Sequence, residues 1–301
     1  MSNLDIEKLL EKLEYESFFG DSKTLLIGLT DLKDKTEASG LIRWSNSKNI
    51  DKLQNIKQGT FILDVKCKDE LIKKDACNYI FVKSPRYTFQ KTLDILYPQK
   101  VTWKVSNNAF IHDTTRIDQK VSIGQNVVIQ ENCIIGKNVI IDANTVIKAN
   151  TIIEENVTIG SNCTIGGVGF GYEKSPEGNY ELLNHIGNVH IKRNAHIGNN
   201  TCIDRAVLGS TIIGINVKVD NLVHIAHGVI INDNALIIAN AMVGGSVTIG
   251  KNVWVAPSST IINKVTVGDD ALVGLGAVVI KNIESNTVVV GNPAKPLNKK
   301  T

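Results

Sequence analysis

The sequence has no long apolar run and no excess of charge of one sign. No stretch of its 301 residues approaches about 18 consecutive apolar side chains, so a membrane-spanning helix is not expected. The 33 basic and 30 acidic side chains leave a net charge of +3, which is too small to indicate a nucleic-acid partner. No signal peptide is recognised, and together with an odd number of cysteines this favours a reducing, cytoplasmic location.

Metal-binding patterns are missing as well. No Cys-X-X-Cys pair occurs and no cysteine stands at ligand spacing from a histidine, so no metal is expected. The five cysteines are Cys67, Cys77, Cys133, Cys163 and Cys202. The last three fall at repeat positions that favour small buried side chains, which predicts packing roles. Surface or packing roles are also expected for four histidines: His112, His185, His190 and His196.

Residues 1–104 are expected to form a small α/β domain that binds substrate. Residues 6–15 have the apolar spacing of an amphipathic helix, and residues 87–96 read as a second helix. Residues 60–63 and 78–82 are short apolar runs of strand type. Mixed patterning of this kind indicates an α/β fold rather than a repeat.

A six-residue repeat dominates residues 105–301. An aliphatic residue recurs at Ile111, Ile117, Ile123, Ile129, Ile135, Ile141, Ile147, Ile153, Ile159 and Ile165, then at Ile191, Ile197 and Ile203, and then at Ile213, Val219, Ile225, Ile231, Ile237, Val243, Ile249, Val255, Ile261, Val267, Val273 and Val279. This period is that of neither a helix nor a simple strand. It is typical of a parallel β-helix, in which three six-residue units close one triangular coil.

The corners of the coils can be read from a second periodic feature. In a majority of units, from Asn126 to Asn252, asparagine stands three residues after the aliphatic position, and Gly228 and Gly276 hold the same place. Tight corners need residues that tolerate a positive φ, and asparagine and glycine tolerate it best. The asparagine register therefore supports the β-helix independently of the aliphatic one.

Two interruptions break the repeat, at residues 166–189 and at residues 207–211. The first is rich in glycine and then polar. An insertion in a solenoid leaves the stack as a loop, and such loops often form the binding face. A tolerated surface loop is the alternative interpretation.

Besides the repeat, five segments of the chain resemble motifs of a known enzyme family: residues 46–48, 81–88, 166–172, 201–205 and 220–227. With them, the chain resembles the left-handed β-helix, or hexapeptide-repeat, acyltransferases, and among these the UDP-3-O-acylglucosamine N-acyltransferases of lipid A synthesis. The resemblance implies a left-handed helix, a homotrimer with active sites between subunits, and a nucleotide-sugar substrate.

Three departures from that family change the expected substrates. Lys264 stands where the family has a second active-site histidine, and Asn49 stands where an aromatic stacks on uracil, although Trp44 could take over. The C-terminal helical extension is absent, and residues 290–296 are similar to the ending of coenzyme-A-dependent sugar acetyltransferases. The resemblance then implies transfer from acyl-coenzyme A to a dTDP-linked amino-dideoxy sugar, as in anthrose synthesis.

Two alternatives remain. One is UDP-3-O-acylglucosamine N-acyltransferase itself, using a 3-hydroxyacyl carrier protein. The other is a non-catalytic β-helix, either a scaffold or a relative of the β-helical carbonic anhydrases, which would need zinc histidines at spacings that this sequence does not contain.

His227 is the candidate catalytic residue. Amide formation from a thioester needs a neutral amine, and histidine is suited to take its proton because its ordinary pKa of about 6.5 lies near working pH. His227 follows a repeat aliphatic by two places and precedes Gly228, so it should project outward from a corner. In the family it resembles, the matching histidine is the general base.

Other candidates are predicted to bind substrate or donor. For the acceptor sugar nucleotide they are Ser84, Arg86, Asp94, Asn221, His224 and Trp44. Asp94 could hold an ammonium group, Asn221 with Asp220 could orient His227 or bind sugar hydroxyls, and His224 could merely flank the site. For coenzyme A they are the backbone N–H groups of Gly244 and Gly245, with Lys264 and Lys295 on its phosphates.

Overall fold

The change of sequence pattern near residue 100 coincides with a division of the structure into two units, Met1–Lys100 and Val101–Thr301. The computed structural model describes residues 4–46, 50–53 and 55–297. Asn49 and most of the 46–48 segment lie outside the described residues.

The N-terminal unit is one five-stranded sheet with short helices. Its strands are β1 (Ser17–Phe19), β2 (Gly28–Leu29), β3 (Leu41–Ser45), β4 (Gly59–Asp64) and β5 (Cys77–Val82), in the order β1-β5-β4-β3-β2. Only β1 is antiparallel to its neighbour. The helices are α1 (Ile6–Leu10), α2 (Ile50–Leu53) and α3 (Pro85–Leu96), with a 3-10 turn at Val65–Cys67.

The two strands β4 and β5 supply much of the core of this unit. Every residue of β5 is buried, as expected for a parallel strand covered on both faces. Alternate side chains enter opposite cores, so Ile62 and Ile80 pack with α1 while Phe61 and Tyr79 stack on the other side. The two strands predicted from short apolar runs are therefore present, each slightly longer than predicted.

The first helix is shorter than predicted. Asp5 caps it by accepting a hydrogen bond from Lys8 N–H, and it ends at Leu10 rather than at residue 15. Beyond that point Glu16 N–H donates to the Phe81 carbonyl, because the chain joins the sheet edge as β1. Tertiary pairing thus overrides the helical spacing of residues 11–15.

The C-terminal unit is a β-helix with three parallel faces. Face 1 consists of β7 (Arg116–Ile117), β10 (Ile134–Ile135), β13 (Ile152–Ile153), β18 (Asn188–Ile191), β21 (Ser210–Ile213), β24 (Ile230–Ile231), β27 (Thr248–Ile249) and β30 (Thr266–Val267). Face 2 consists of β8 (Ser122–Ile123), β11 (Ile140–Ile141), β14 (Thr158–Ile159), β19 (His196–Ile197), β22 (Lys218–Val219), β25 (Leu236–Ile237), β28 (Trp254–Val255), β31 (Leu272–Val273), β33 (Val288–Val290) and the antiparallel β34 (Lys295–Pro296).

Face 3 completes each coil. It consists of β6 (Phe110–Ile111), β9 (Val128–Ile129), β12 (Val146–Ile147), β15 (Thr164–Gly167), β20 (Cys202–Asp204), β23 (His224–Ile225), β26 (Met242–Val243), β29 (Thr260–Ile261) and β32 (Val278–Val279). From Ile123 to Val279 the repeat aliphatics are at most 2% exposed, so they form one continuous column of core. The predicted β-helix is confirmed.

The corners follow the asparagine register. The asparagines of the register all have φ between 55° and 63°: Asn126, Asn132, Asn138, Asn144, Asn150, Asn156, Asn162, Asn194, Asn200, Asn216, Asn234, Asn240 and Asn252. Gly228 and Gly276 take the same left-handed conformation. Leu222 also does so, at φ 60°, although its side chain has no intrinsic preference for it.

The cysteine prediction is correct for two of the three repeat positions. Cys133 and Cys163 are buried in the core, and burial raises the pKa of both thiols. Cys202 is exposed. It directly precedes the inward-pointing Ile203, and successive residues of a strand point to opposite sides. The expectation of a buried Cys202 is therefore wrong.

Both interruptions leave the stack between face 3 and face 1. The first carries a hairpin of β16 (Tyr172–Lys174) and β17 (Tyr180–Leu182), and strands β15 and β18 retain its outermost residues. The second is narrower than predicted, because Ser210 and Thr211 belong to β21. The two meet where Ile186 N–H donates to the Val207 carbonyl. This corner is the irregular edge of an otherwise regular prism.

Candidate active site at the interrupted corner

His227 lies at the same corner, one coil after the second interruption. The corner connects β23 to β24, and the Ser246 N–H of the next coil donates to the His227 carbonyl. The side chain is half-buried rather than fully projecting, because neighbouring glycines pack against the ring. A Cβ placed on Gly245 would lie 2.6 Å from Nε2 of His227, and one placed on Gly169 would lie 3.0 Å from its Cβ.

The inserted segment brings a second imidazole to this place. His185 is 3% exposed, and its ring centroid lies 5.4 Å from that of His227 with the planes at 84°. Its Nδ1 lies 2.6 Å from the Leu183 carbonyl oxygen, which can only accept, so Nδ1 carries the proton. Among the described residues, nothing bonds its buried Nε2. The packing role predicted for His185 omitted this contact with His227.

Burial and a neighbouring imidazole favour the neutral form of His227. Its pKa is lowered from 6.5, first by burial and second by His185. Among the described residues no side chain bonds either ring nitrogen of His227. Packing therefore orients the ring, whereas in many enzymes a hydrogen-bonded carboxylate orients the base. A half-buried histidine of lowered pKa, packed against glycines, can accept a proton from an amine.

A carboxylate lies close by on face 3. Asp204 pairs with Gly167 in the backbone register, and its Oδ2 lies 3.7 Å from Nε2 of His224. Burial raises the pKa of Asp204, while His224 and then His185 act in the opposite direction. His224 itself is exposed, and its predicted contact with substrate remains a prediction. Asp204 was named in sequence only as part of a motif and was not predicted as a site residue.

Asn221 is placed elsewhere. It lies at the corner between face 2 and face 3, on the opposite end of β23 from His227. Its side chain oxygen accepts from the backbone N–H of Asn199, and Asp220 accepts from the N–H groups of Asn221 and Ala239. Within one chain these bonds serve the corner, so the idea that Asp220 or Asn221 orients His227 is not supported. Asn221 does line a cavity of about 700 Å³ with His196 and Lys218.

Of the four residues predicted to bind the coenzyme A donor, one has its backbone N–H already hydrogen-bonded within the β-helix. The Gly244 N–H donates to the Ile261 carbonyl in the coil ladder, which removes it as a thioester ligand. The Gly245 N–H has no partner in the described part of the chain. Lys264 is exposed at the corner next to Gly245, with φ 64°, and its N–H donates to the Gly245 carbonyl. Lys295 is exposed in β34.

The N-terminal candidates do not form one cluster. Ser84 precedes α3 and lines a cavity of about 760 Å³ with Tyr87 and Lys91. Trp44 packs on Phe89 and lines a separate cavity of about 360 Å³. Arg86 and Asp94 are exposed on α3 and line neither cavity. Their predicted contact with substrate remains a prediction.

In residues 4–46, 50–53 and 55–297, no group of three histidine, cysteine or acidic side chains could hold a metal ion. No helix in those residues has the length and apolar character needed to cross a bilayer.

Comparisons with known proteins agree with this architecture. The family model for Bacterial transferase hexapeptide (six repeats) matches residues 132–167. A UDP-3-O-acylglucosamine N-acyltransferase of Desulfotalea psychrophila is 46% identical over 131 residues, which are 44% of this chain and 38% of that protein. One of Protochlamydia amoebophila is 39% identical over 242 residues, 73% of this chain and 68% of that protein. The matched part thus spans well under two thirds of the first relative and about two thirds of the second.

Solved structures show the same fold. A UDP-N-acetylglucosamine acyltransferase from Campylobacter jejuni superimposes with a TM-score of 0.59 at 23% identity, covering 65% of this chain and 74% of that one. The Arabidopsis UDP-N-acetylglucosamine acyltransferase gives a TM-score of 0.55 at 20% identity, with the same two shares. These likenesses confirm the left-handed β-helix built from hexapeptide repeats.

Proposed function

The chain belongs to the family of the UDP-3-O-acylglucosamine N-acyltransferases, and from that premise we propose that it transfers an acyl group from a thioester to the amine of a nucleotide-linked amino sugar. The observation that carries the proposal is the half-buried His227 imidazole, packed against Gly245 at the interrupted corner. Aminolysis of a thioester needs a general base and a hydrogen-bond donor for the oxyanion. The imidazole of His227, whose pKa is lowered, and the backbone N–H of Gly245 can supply them.

The reaction balances with one base. The sugar nitrogen attacks the thioester carbonyl, and His227 takes a proton from that nitrogen as the C–N bond forms. The C–S bond then breaks, and the thiol leaves with the proton that the imidazolium returns. His227 therefore ends neutral, and no further reactant is needed.

The tetrahedral oxyanion needs a hydrogen-bond donor. The Gly245 N–H is the candidate, since it adjoins the imidazole and has no partner among the described residues. Removing one such donor in other enzymes costs roughly 10²–10³ in kcat. The neighbouring Gly244 N–H cannot take this role, because it already donates to a carbonyl in the coil ladder.

For the acceptor, UDP-3-O-acylglucosamine is the first candidate. It is the substrate named for the curated relatives, including the one matched over 242 residues. No relative among these is named for a dTDP-linked amino-dideoxy sugar, so the anthrose-type expectation is second. An acyl carrier protein is the donor that accompanies the first candidate.

One observation favours the second candidate, an acyl-coenzyme A donor with a dTDP-linked acceptor. Lys264 is an exposed cation at the corner two coils beyond His227, and Lys295 is exposed in the terminal β34. Either ammonium could pair with coenzyme A phosphates.

A direct competition distinguishes the two. Purified protein is given UDP-3-O-acylglucosamine or a dTDP-linked amino sugar, each with 3-hydroxyacyl carrier protein and with acetyl- or 3-hydroxybutyryl-coenzyme A. A kcat/KM at least about 100-fold higher for the first acceptor with carrier protein, which is about 2.7 kcal/mol, establishes the first candidate. The reverse preference establishes the second, and no transfer to any amine would contradict the proposed function.

A further inference from the structure

The inserted segment contributes a residue to the active site. We propose that His185 is the positioning residue of His227: its buried ring, fixed by Leu183, stands edge-on to the His227 imidazole and holds it against Gly245. The proposal rests on the proposed function only in taking His227 as the base.

His185 is itself held firmly. Its Nδ1 donates to the Leu183 carbonyl at 2.6 Å, and Leu183 N–H donates to the Gly171 carbonyl at 2.8 Å. Leu183 directly follows β17, so the hairpin sets the place of the ring. One backbone bond therefore determines both the orientation and the tautomer of His185.

The glycines of the insertion are shaped around this ring. A Cβ on Gly169 would lie 2.9 Å from Nε2 of His185 and 3.1 Å from Cδ2 of His227, and one on Gly171 would lie 3.1 Å from Cε1 of His185. Side chains at residues 169 and 171 would thus displace His185, and at residue 169 also His227. The Gly-X-Gly spacing of residues 169–171 is explained by the imidazole pair.

The far side of the His185 ring has no polar contact in the described part of the chain. Its Nε2 is buried and has no hydrogen-bond partner among the described residues, so the bond from Nδ1 to the Leu183 carbonyl is the polar contact that orients the ring. The other charged or titratable groups near the pair are Asp204 and His224 on face 3 and Lys264 at the corner beyond Gly245, while the packing glycines carry none.

The consequence is a kinetic pattern. Loss of a positioning residue misplaces the base in the transition state but leaves substrate contacts intact. His185→Ala is expected to lower kcat by about 10- to 100-fold, the usual effect of small misplacement, with KM nearly unchanged. His185→Phe retains a ring but loses the hydrogen bond to the Leu183 carbonyl, so kcat should recover only in part. His112→Ala, a histidine exchange in the first coils, is the control.

A measurement on the protein without substrate tests the proposal separately. Imidazole 15N and 13C NMR of the wild-type chain, at a pH where the imidazoles are neutral, should show the proton of His185 on Nδ1. In His185→Ala the His227 signal should titrate at higher pH than in the wild type, because water enters and His185 is gone. His227→Gln assigns that signal.

Two results would overturn the proposal. One is a wild-type His185 that carries its proton on Nε2 rather than on Nδ1. The other is a His185→Ala protein with wild-type kcat and an unchanged His227 titration. If no acyl transfer is found with any substrate, the NMR experiment still decides whether His185 holds His227.

Discussion

Gly245 and His227 occupy adjoining corners of successive coils, and the missing side chain of one leaves room for the ring of the other. A Cβ on Gly245 would lie 2.6 Å from Nε2 and 2.8 Å from Cε1 of His227. Real Cβ atoms do not approach ring atoms so closely, so any side chain at residue 245 would move the imidazole.

Gly245→Ala is therefore expected to lower kcat by about 100-fold, the effect of shifting a reacting group by about 1 Å. Steady-state kinetics measures this, with circular dichroism to confirm the fold. Gly276→Asn is the matched control, because Gly276 also lies at a corner, has open space around it and takes a φ that asparagine tolerates. Wild-type kcat in Gly245→Ala would mean that the ring position is not critical.

His227→Ala removes the proposed base. Turnover should fall by about 10²–10⁴, the usual contribution of a positioned general base. The fold should persist, because His227 is only half-buried and its backbone bond to Ser246 does not use the side chain. Activity within tenfold of wild type would assign the proton transfer to another group, and Asp204 and Asp94 would be examined next.

The pH dependence of kcat/KM should reflect the lowered pKa of His227. Burial, and then His185, disfavour the imidazolium, so the neutral base persists below the ordinary value of 6.5 and the acid limb should lie below that pH. The acceptor's amine adds its own limb, so the ratio of wild type to His227→Gln at each pH isolates the histidine. A limb above 6.5 in that ratio would contradict the assignment.

Leu222 holds a corner conformation that asparagine holds in most other coils. Leu222→Asn should raise the free energy of unfolding by about 1 kcal/mol, because the left-handed conformation is costly for leucine. The reciprocal change, Asn240→Leu at the same corner one coil later, should lower it and also remove the hydrogen bond to Ser258. Denaturant unfolding compares both variants. A loss of stability in Leu222→Asn would show that the exposed leucine contributes an apolar contact instead.

The family resemblance predicts a homotrimer, and exposed apolar side chains on the β-helix support association. Trp254, Ile262 and Leu275 are 46%, 44% and 73% exposed in the single chain. Light scattering at micromolar protein should give three times the mass of the chain, 32.8 kDa. A monomer would remove the model of active sites shared between subunits.

The sequence by itself determined the β-helix, since each corner and each buried aliphatic repeats one local choice every six residues. The thirteen corner asparagines from Asn126 to Asn252 all have the predicted positive φ. The positive φ of Leu222 and the early end of α1 at Leu10 could not be predicted in this way. In both, the rest of the fold imposes a conformation that the local residues do not prefer.

Only the tertiary structure decided the surroundings of His227. His185 carries no periodic signal, and it reaches the base because the first interruption leaves the stack at the corner between face 3 and face 1, where His227 lies. The contact of Gly169 with the imidazole has the same origin. A repeat specifies where the chain turns, but the contacts of an insertion depend on how its hairpin folds back in space.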